Sequence, residues 1–277
     1  MSGEGGERLP RPRKRFGQHF LADPRSLERI VEALAPGPSD TVVEIGPGRG
    51  ALTNLLSPRC GRLIALEIDR DLVRHLREKY ADQPHVEIVE GDALETSWSA
   101  MAGPSYLLAG NLPYYITTPL IFRVLASPRP QRAVLLMQRE VAARLAAAPG
   151  SNDYGALSVN VQVSTSVRIV SRVSAGSFHP RPSVESAIVL LTPLTEPALG
   201  ADEEDPFRRF VQAAFGMRRK QLLRVMRELW VPDAGEASRI LMSLGLEPSL
   251  RPEVVSPGDF VRLYRETTIR SGKAEHG

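Results

Sequence analysis

The stretch Ala109-Gly110-Asn111-Leu112-Pro113-Tyr114-Tyr115 holds residue types suited to one chemical problem, alkylation of an amine conjugated to an aromatic ring. Such an amine is a poor nucleophile because its lone pair is spread into the ring. A pair of neutral acceptors that takes both of its N–H groups favours a lone pair pointing at an electrophile. Asn111 offers a side-chain oxygen. Pro113 restricts the residue before it, which helps fix the direction of the Leu112 carbonyl. Tyr114 offers a face on which a base can stack. The same residues also suit a plain strand-ending turn, because Asn-x-Pro is common in loops.

A second constellation bears on what would supply the electrophile. Gly46-Pro47-Gly48-Arg49-Gly50 follows an apolar strand-like run, and an acid, Glu67, stands about twenty residues on. Gly46, Gly48 and Ala51 also satisfy the loose dinucleotide fingerprint, in which loop amides grip a pyrophosphate and Glu67 holds a ribose hydroxyl. Pro47 weakens that reading by removing one amide from the loop. Glu44 adds a carboxylate that is unwelcome beside phosphates and tolerable beside a cation. S-adenosylmethionine has a ribose, an adenine and a positive sulfonium but no phosphate. The Gly46 turn then admits the donor, Glu67 accepts from the ribose, and Asp92 accepts from the adenine amine. Asp92 alone could equally cap a following helix.

These residues need a scaffold that brings them together. Thr41 to Ile45, Arg62 to Ile68, Val86 to Val89, the run ending at Asn111, and Ala133 to Met137 read as strands. Helical stretches at Ala51 to Leu56, Arg70 to Tyr80 and Gln138 to Ala147 separate or follow them. Alternating strands and helices predict an α/β fold, a Rossmann-like parallel sheet flanked by helices. In such a sheet ligands sit at the carboxyl ends of strands, where Gly46, Glu67, Asp92 and Asn111 all fall. Val167 to Val173 and Ser186 to Leu191 suggest an antiparallel pair at one edge. An earlier helix runs from Asp23 or Pro24 to Leu34, with Asp23 as its cap.

The Pro- and Gly-bearing stretch from Thr192 to Pro206 predicts a domain boundary. The domain before it spans residues 16–195, and a small all-helical domain spans 206–268. Helices are expected at Phe207 to Phe215, Arg218 to Leu229, Gly235 to Leu244 and Pro257 to Arg265. Residues 1–15 read as a flexible basic arm and 269–277 as a disordered tail.

The formal charge of the 277 residues is only +3, but the sequence pI is about 9.2, so the distribution of charge matters more than its sum. Between Pro206 and Trp230, Arg208, Arg209, Arg218, Arg219, Lys220, Arg224 and Arg227 stand against Glu228 alone. Lys220, Arg224 and Arg227 share a helix face by spacing, with Leu222, Met226 and Leu229 opposite. Such an excess points to nucleic acid, although a charge run is often only a solvated face. The arm adds Arg13, Lys14 and Arg15 as candidate phosphate contacts. Cys60 is the only cysteine, which excludes an internal disulfide and fits a reducing compartment. No apolar run reaches membrane-spanning length, and no metal-ligand spacing appears, so a cytoplasmic protein without a metal is expected.

Taken together, these stretches resemble the KsgA (RsmA) family of ribosomal RNA adenine dimethyltransferases. The likeness is carried by Arg15-Phe16-Gly17-Gln18-His19-Phe20-Leu21, Val43-Glu44-Ile45-Gly46-Pro47-Gly48, Glu67-Ile68-Asp69, Gly91-Asp92-Ala93, Gly110-Asn111-Leu112-Pro113-Tyr114-Tyr115 and Phe178-His179-Pro180-Arg181-Pro182-Ser183-Val184-Glu185-Ser186. Met137 to Val141 and Tyr154 to Ser158 add to it. The resemblance implies a class I methyltransferase sheet and S-adenosylmethionine as methyl donor. His19 and the backbone of Leu21 would close the methionine end of the donor, with Gly46, Glu67, Asp92 and Asn111 lining the rest. Asn111 and the Leu112 carbonyl, with Pro113 between turn and ring, would hold the target amine. Tyr114 would stack on the base and Phe178 would close over its other face. Many relatives carry Asn where this chain has His19.

The substrate the family implies is two adjacent adenosines in the hairpin loop near the 3′ end of 16S ribosomal RNA, in the small subunit. Each becomes N6,N6-dimethyladenosine, in a step that belongs to subunit biogenesis. The partner is that RNA, not a membrane, and a monomer suffices. Three other readings compete: an Erm-type enzyme acting on large-subunit RNA, an assembly factor that binds without much catalysis, and an NAD-linked oxidoreductase.

Overall fold

The computed structural model describes residues 10–13 and 16–274, with side chains to residue 268. The expected phosphate contacts Lys14 and Arg15, most of the expected arm, and residues 275–277 lie outside the described residues. In chain order the elements are β1 (Phe20–Leu21), α1 (Pro24–Leu34), β2 (Thr41–Ile45), α2 (Thr53–Leu56), β3 (Arg62–Glu67), α3 (Arg70–Lys79), β4 (Val86–Glu90), α4 (Trp98–Ala102), β5 (Leu107–Asn111), α5 (Thr117–Leu125) and β6 (Arg132–Gln138). There follow α6 (Arg139–Leu145), α7 (Ala156–Gln162), β7 (Thr165–Val173), β8 (Phe178–His179), β9 (Ser186–Pro193), α8 (Glu204–Gly216), α9 (Leu222–Leu229), α10 (Ala234–Ser243) and α11 (Pro257–Ala274).

Seven strands form one sheet in the order β4-β3-β2-β5-β6-β9-β7. Its first five members run parallel, and β9 is antiparallel to β6. The chain moves outward from β2 to β4 and then returns to lay β5 on the other side of β2. The carboxyl ends of β2 and β5 are thus neighbours at the point where strand order reverses, and Ile45 stands opposite Gly110. The strands that make this centre are fully buried, as β-branched and leucine-rich runs without alternation require: Val42, Val43, Leu107 and Leu108 have no exposed surface. The expected α/β sheet is present, and the two late strands lie side by side at one edge. A separate two-stranded pair joins β1 to β8 antiparallel, with Phe20 opposite His179 and Leu21 opposite Phe178.

The chain divides into two compact units. One comprises Met1–Ala142 and Arg168–Pro193, the other Ala143–Val167 and Leu194–Gly277. The break after Pro193 falls inside the expected linker, but the second unit also takes in 143–167, so it is not a contiguous C-terminal piece. Packing explains this. Tyr154, Val159 and Val163 belong to the same buried cluster as Phe207, Phe210, Met226 and Phe260, and the Tyr154 hydroxyl donates to the Val255 carbonyl at 2.7 Å.

Three expected helix limits are corrected. Helix α8 starts inside the acidic run, at Glu204, because Glu204 and Asp205 in a first turn oppose the helix dipole favourably. Helix α9 starts only at Leu222, after a turn in which Lys220 N donates to Met217 O at 2.8 Å. Helix α11 continues past Arg265 to Ala274, into the stretch expected to be a disordered tail.

Candidate active site

In the first unit a cavity of about 300 Å³ opens at the carboxyl ends of β2 to β5. It is lined by Phe16 to Phe20, Gly46, Gly48, Glu67, Gly91 to Leu94 and Asn111 to Ile116. Five of the six residues expected to hold a donor, His19, Gly46, Glu67, Asp92 and Asn111, are therefore brought to one cavity. Leu21 instead lines a smaller neighbouring cavity of about 210 Å³, with Glu44, Gly46 and Asn111.

The glycine turn is tightly built. Gly46 and Gly48 have φ values of +65° and +58°, which side-chain-bearing residues rarely adopt. A Cβ at Gly48 would lie 2.8 Å from the Phe20 ring, so the β1 segment can pass over the turn only because this position is glycine. Three amides of the turn are consumed internally. Gly46 N donates to Leu66 O at 3.0 Å, Gly50 N to Pro47 O at 2.9 Å, and Gly48 N to Glu67 Oε2 at 3.1 Å. Pro47 has none to give, and the α2 that follows the turn has only four residues. A pyrophosphate would meet a carboxylate here and none of those three amides, which removes the dinucleotide reading.

Glu67 is 5 % exposed, and its other oxygen accepts from Ile68 N and Asp69 N, each at 3.0 Å. Burial raises its pKa, opposed by these backbone donors. The carboxylate is thus held by main-chain donors on both of its oxygens. Asp92 does not cap α4, whose N-cap is Ser97. One of its oxygens accepts from Leu94 N at 2.8 Å, within a turn closed by Thr96 N to Asp92 O at 2.9 Å. Glu44 faces Thr53, whose hydroxyl donates to it at 2.7 Å, and burial pushes it up to about 8.

Asn111 ends β5, and its Nδ2 donates to the His19 carbonyl at 2.7 Å. A carbonyl at that distance can only face the NH₂ of the amide, so Oδ1 is the atom left to accept. Neither Asn111 Oδ1 nor the Leu112 carbonyl takes a hydrogen bond from a described residue. Pro113 and Thr117 keep the turn in place, the Thr117 hydroxyl donating to Pro113 O at 3.1 Å. Tyr114 is anchored by a 2.7 Å bond between its hydroxyl and Ser186 Oγ, and burial raises its pKa. The His19 ring lies 24° from parallel to the Tyr114 ring, with centroids 5.7 Å apart, and its Nδ1 is 2.8 Å from Pro180 O.

Other expected residues fall elsewhere. Phe178 does not line the cavity. Its ring is 5 % exposed and packs in the core with Leu21, Leu27 and Ile30, because pairing with Leu21 turns both side chains inward. Arg13 is no free cation: it pairs with Asp69 at 3.2 Å and with Asp71, and Gln18 also reaches Asp69 at 3.1 Å. With Arg49 donating to Pro10 O at 2.8 Å, residues 10–13 are tied down, contrary to the expectation of a flexible arm over its whole length. In the second unit, Lys220 precedes α9 and so shares no helix face with Arg224 and Arg227. Arg218 pairs with Glu253 at 3.2 Å and Arg224 with Glu228 at 2.5 Å, and Arg227 donates to Pro232 O at 3.4 Å. Arg219 and Lys220 are exposed. Gln18, Asp69 and Ser186 stand in the motifs quoted above but are given no role there, since the Gln18–Asp69 and Tyr114–Ser186 bonds form across the fold and no local spacing marks them.

A doubly wound sheet with an antiparallel strand next to its edge, and an acid-lined cavity at its strand ends, is the architecture that class I methyltransferases share. The chain matches the family "Ribosomal RNA adenine dimethylase" over residues 10–266. It is 42 % identical to the ribosomal RNA small subunit methyltransferase A of Geobacter metallireducens, over 99 % of this chain and 100 % of that one. The protein of the same name from Moorella thermoacetica is also 42 % identical, with 92 % of each chain covered. Among solved structures, a dimethyladenosine transferase from Plasmodium falciparum superposes with a TM-score of 0.81 at 28 % identity, covering 91 % of this chain and 98 % of that one. The 23S rRNA methyltransferase ErmE gives 0.72 at 26 % identity, covering 90 % and 99 %. The chain belongs to the ribosomal RNA adenine dimethylase family.

Proposed function

We propose that the protein transfers methyl groups from S-adenosylmethionine to N6 of two adjacent adenosines in the 3′-terminal hairpin loop of 16S ribosomal RNA, within the small subunit. The products are N6,N6-dimethyladenosines, and the step belongs to small-subunit biogenesis. Family membership supports the reaction. The small-subunit name carried by relatives 42 % identical favours that substrate over the large-subunit RNA of ErmE, at 26 %. The observation that carries the chemistry is the orientation of Asn111, whose amide nitrogen is spent on His19 and whose oxygen is left as a neutral acceptor.

The cavity fits the donor: its acids are held by backbone amides, and the amides of Gly46, Gly48 and Gly50 are taken within the protein. When bound, S-adenosylmethionine supplies an electrophilic methyl group on a positively charged sulfur. Glu67 accepts from its ribose hydroxyls, and the second oxygen of Asp92 accepts from its adenine amine. Gly46 leaves room for it, and His19 borders its amino-acid end. Asn111 Oδ1 and the Leu112 carbonyl accept the two N–H groups of the target amine, and Tyr114 offers its ring face to the base. Tyr114 stays a neutral phenol, because burial raises a pKa that is ordinarily 10.0. No strong base is required, since the nitrogen becomes cationic on methylation and then releases its proton. Positioning does the catalysis.

The target base must leave any stack to enter such a cavity, which suits a loop adenosine. Arg219 and Lys220 are the cations of the second unit that we assign to RNA phosphates first, with Arg218, Arg224 and Arg227 as partial contributors. We further propose that the protein acts as a monomer in the cytoplasm. Among the described residues, no helix is long and apolar enough to cross a membrane. The test offers labelled S-adenosylmethionine with small subunits lacking the modification, large-subunit RNA or duplex DNA. Label recovered as dimethyladenosine from the small subunit alone supports the reading. Label in large-subunit RNA overturns the substrate, and no label anywhere overturns the activity.

A further inference from the structure

The loop from Gly91 to Thr96 carries Asp92 to the cavity, and it is held by a residue outside the set assigned so far. The turn spends its internal donors on Asp92: Leu94 N on the side chain at 2.8 Å, and Glu95 N, Thr96 N and the Thr96 hydroxyl on its carbonyl at 3.1, 2.9 and 2.7 Å. The carbonyls of Leu94 and Thr96 accept from one guanidinium, that of Arg123, through Nη1 and Nη2 respectively, the latter at 2.7 Å. The same guanidinium lies 5.3 Å from the centre of the Trp98 ring, itself only 3 % exposed. Among the described residues Arg123 has no acidic partner, and its Nε is buried without a hydrogen bond. A cation half-buried on carbonyl dipoles and an indole face is a costly way to close a surface loop.

Its position in the chain supplies the reason. Arg123 stands in the last turn of α5, the helix that begins directly behind the Asn111 to Tyr115 turn. At the other end of that helix, Thr117 and Ile116 both donate to the Pro113 carbonyl, at 3.1 and 3.2 Å. One short helix therefore fixes the acceptor turn at its start and the Asp92 loop at its finish. We propose that Arg123 is a positioning residue for the donor, which sets the Asp92 carboxylate for the exocyclic amine of the donor's adenine. The planar fork matters as well as the charge, because two carbonyls are held at once and an ammonium cannot reach both in that geometry.

This rests on the donor reading above, and the experiment separates the two. S-adenosylhomocysteine and its deaminated counterpart S-inosylhomocysteine, which has a carbonyl in place of the adenine amine, are titrated into the full-length protein. The wild type is expected to prefer the adenine compound by about 10-fold or more. In Arg123→Ala and Arg123→Lys the adenine compound should lose about 10-fold while the inosine compound changes little, so the preference collapses. KM for the methyl donor should rise with kcat at saturation within about threefold. Asp92→Asn should collapse the preference directly and serves as the reference. Equal weakening of both ligands, or a fall in melting temperature with the preference intact, overturns the inference and leaves Arg123 a structural clamp. Arg123→Lys keeps the stem and charge, so it decides the matter if the alanine variant does not fold. A wild type that binds neither compound sinks the donor reading, and this inference with it.

Discussion

The cavity of the first unit and the basic stretch from Arg218 to Arg227 of the second are built on opposite plans. In the cavity, the polar side chains are oriented by main chain: Glu67 by the amides of Gly48, Ile68 and Asp69, Asn111 by the His19 carbonyl, and Asp92 by its own turn. In the basic stretch the side chains are exposed, and Arg218 and Arg224 are shared with acids. The first arrangement works by position, so losing one group should cost much. The second works by summed charge in water, where single exposed pairs contribute little and cations substitute for one another.

Substitutions in the two regions test that contrast. Asn111→Ala should have the largest effect, lowering methyl transfer by about 10²- to 10³-fold, because a preorganised acceptor is removed from the reacting amine. A loss smaller than tenfold would mean that the Leu112 carbonyl alone suffices. Glu67→Ala should weaken S-adenosylhomocysteine by about 10- to 100-fold, as expected for hydrogen bonds to a held carboxylate. Calorimetric titration measures it, and RNA affinity should stay as it was. The double variant Arg219→Ala with Lys220→Ala should change RNA affinity modestly at low salt and reduce the slope of log K against log salt by about 2. Arg224→Ala should reduce it less, since Glu228 already neutralises that side chain. A single change in this stretch that abolished transfer while sparing the salt slope would show that it too works by position.

The smallest effect concerns stability alone. Burial lifts Glu44 from an ordinary 4.5 to about 8, so the folded protein keeps a proton there that the unfolded chain releases. Stability from this group is full below pH 4.5 and is lost as pH rises toward 8. Glu44→Gln should remove that slope, so the variant gains on the wild type by roughly a few degrees in melting temperature between acid and pH 8. A constant difference across that range would place the raised acid elsewhere.

Much of the sheet was legible because most of its strands are apolar runs punctuated by Gly, Asp and Asn, and the runs of β2 to β5 end at or beside a residue that lines the cavity. Gly46, Glu67, Asp92 and Asn111 could be found from their positions at strand ends, with no knowledge of side-chain contacts. What stayed hidden is what depends on register between distant segments. Phe178 reads as a lid over the base, yet its pairing with Leu21 turns it into the core. Arg13 reads as a free cation of a basic arm, yet Asp69 and Asp71 claim it. Helical spacing made Lys220 a neighbour of Arg224 on one face, but a turn ending at Lys220 and a helix beginning at Leu222 break that face. The inclusion of 143–167 in the second unit was equally unreadable, since it follows from packing between Tyr154 and helices more than fifty residues on. Local chemistry is written locally; ownership of a charge or an aromatic ring is settled by the fold.

The most direct test of the central claim, that a neutral acceptor turn rather than a base does the catalysis, is a single-turnover assay. Small subunits lacking the modification and labelled donor are mixed with wild-type protein or with Asn111→Ala, and S-adenosylhomocysteine affinity is measured on the same preparations. The account predicts dimethyladenosine from the wild type, at a rate flat in pH near neutrality. It also predicts a loss of at least about 10² in the variant with ligand affinity within a few-fold. A variant that transfers methyl groups at close to the wild-type rate, or one whose loss is matched by its loss of ligand affinity, would contradict it.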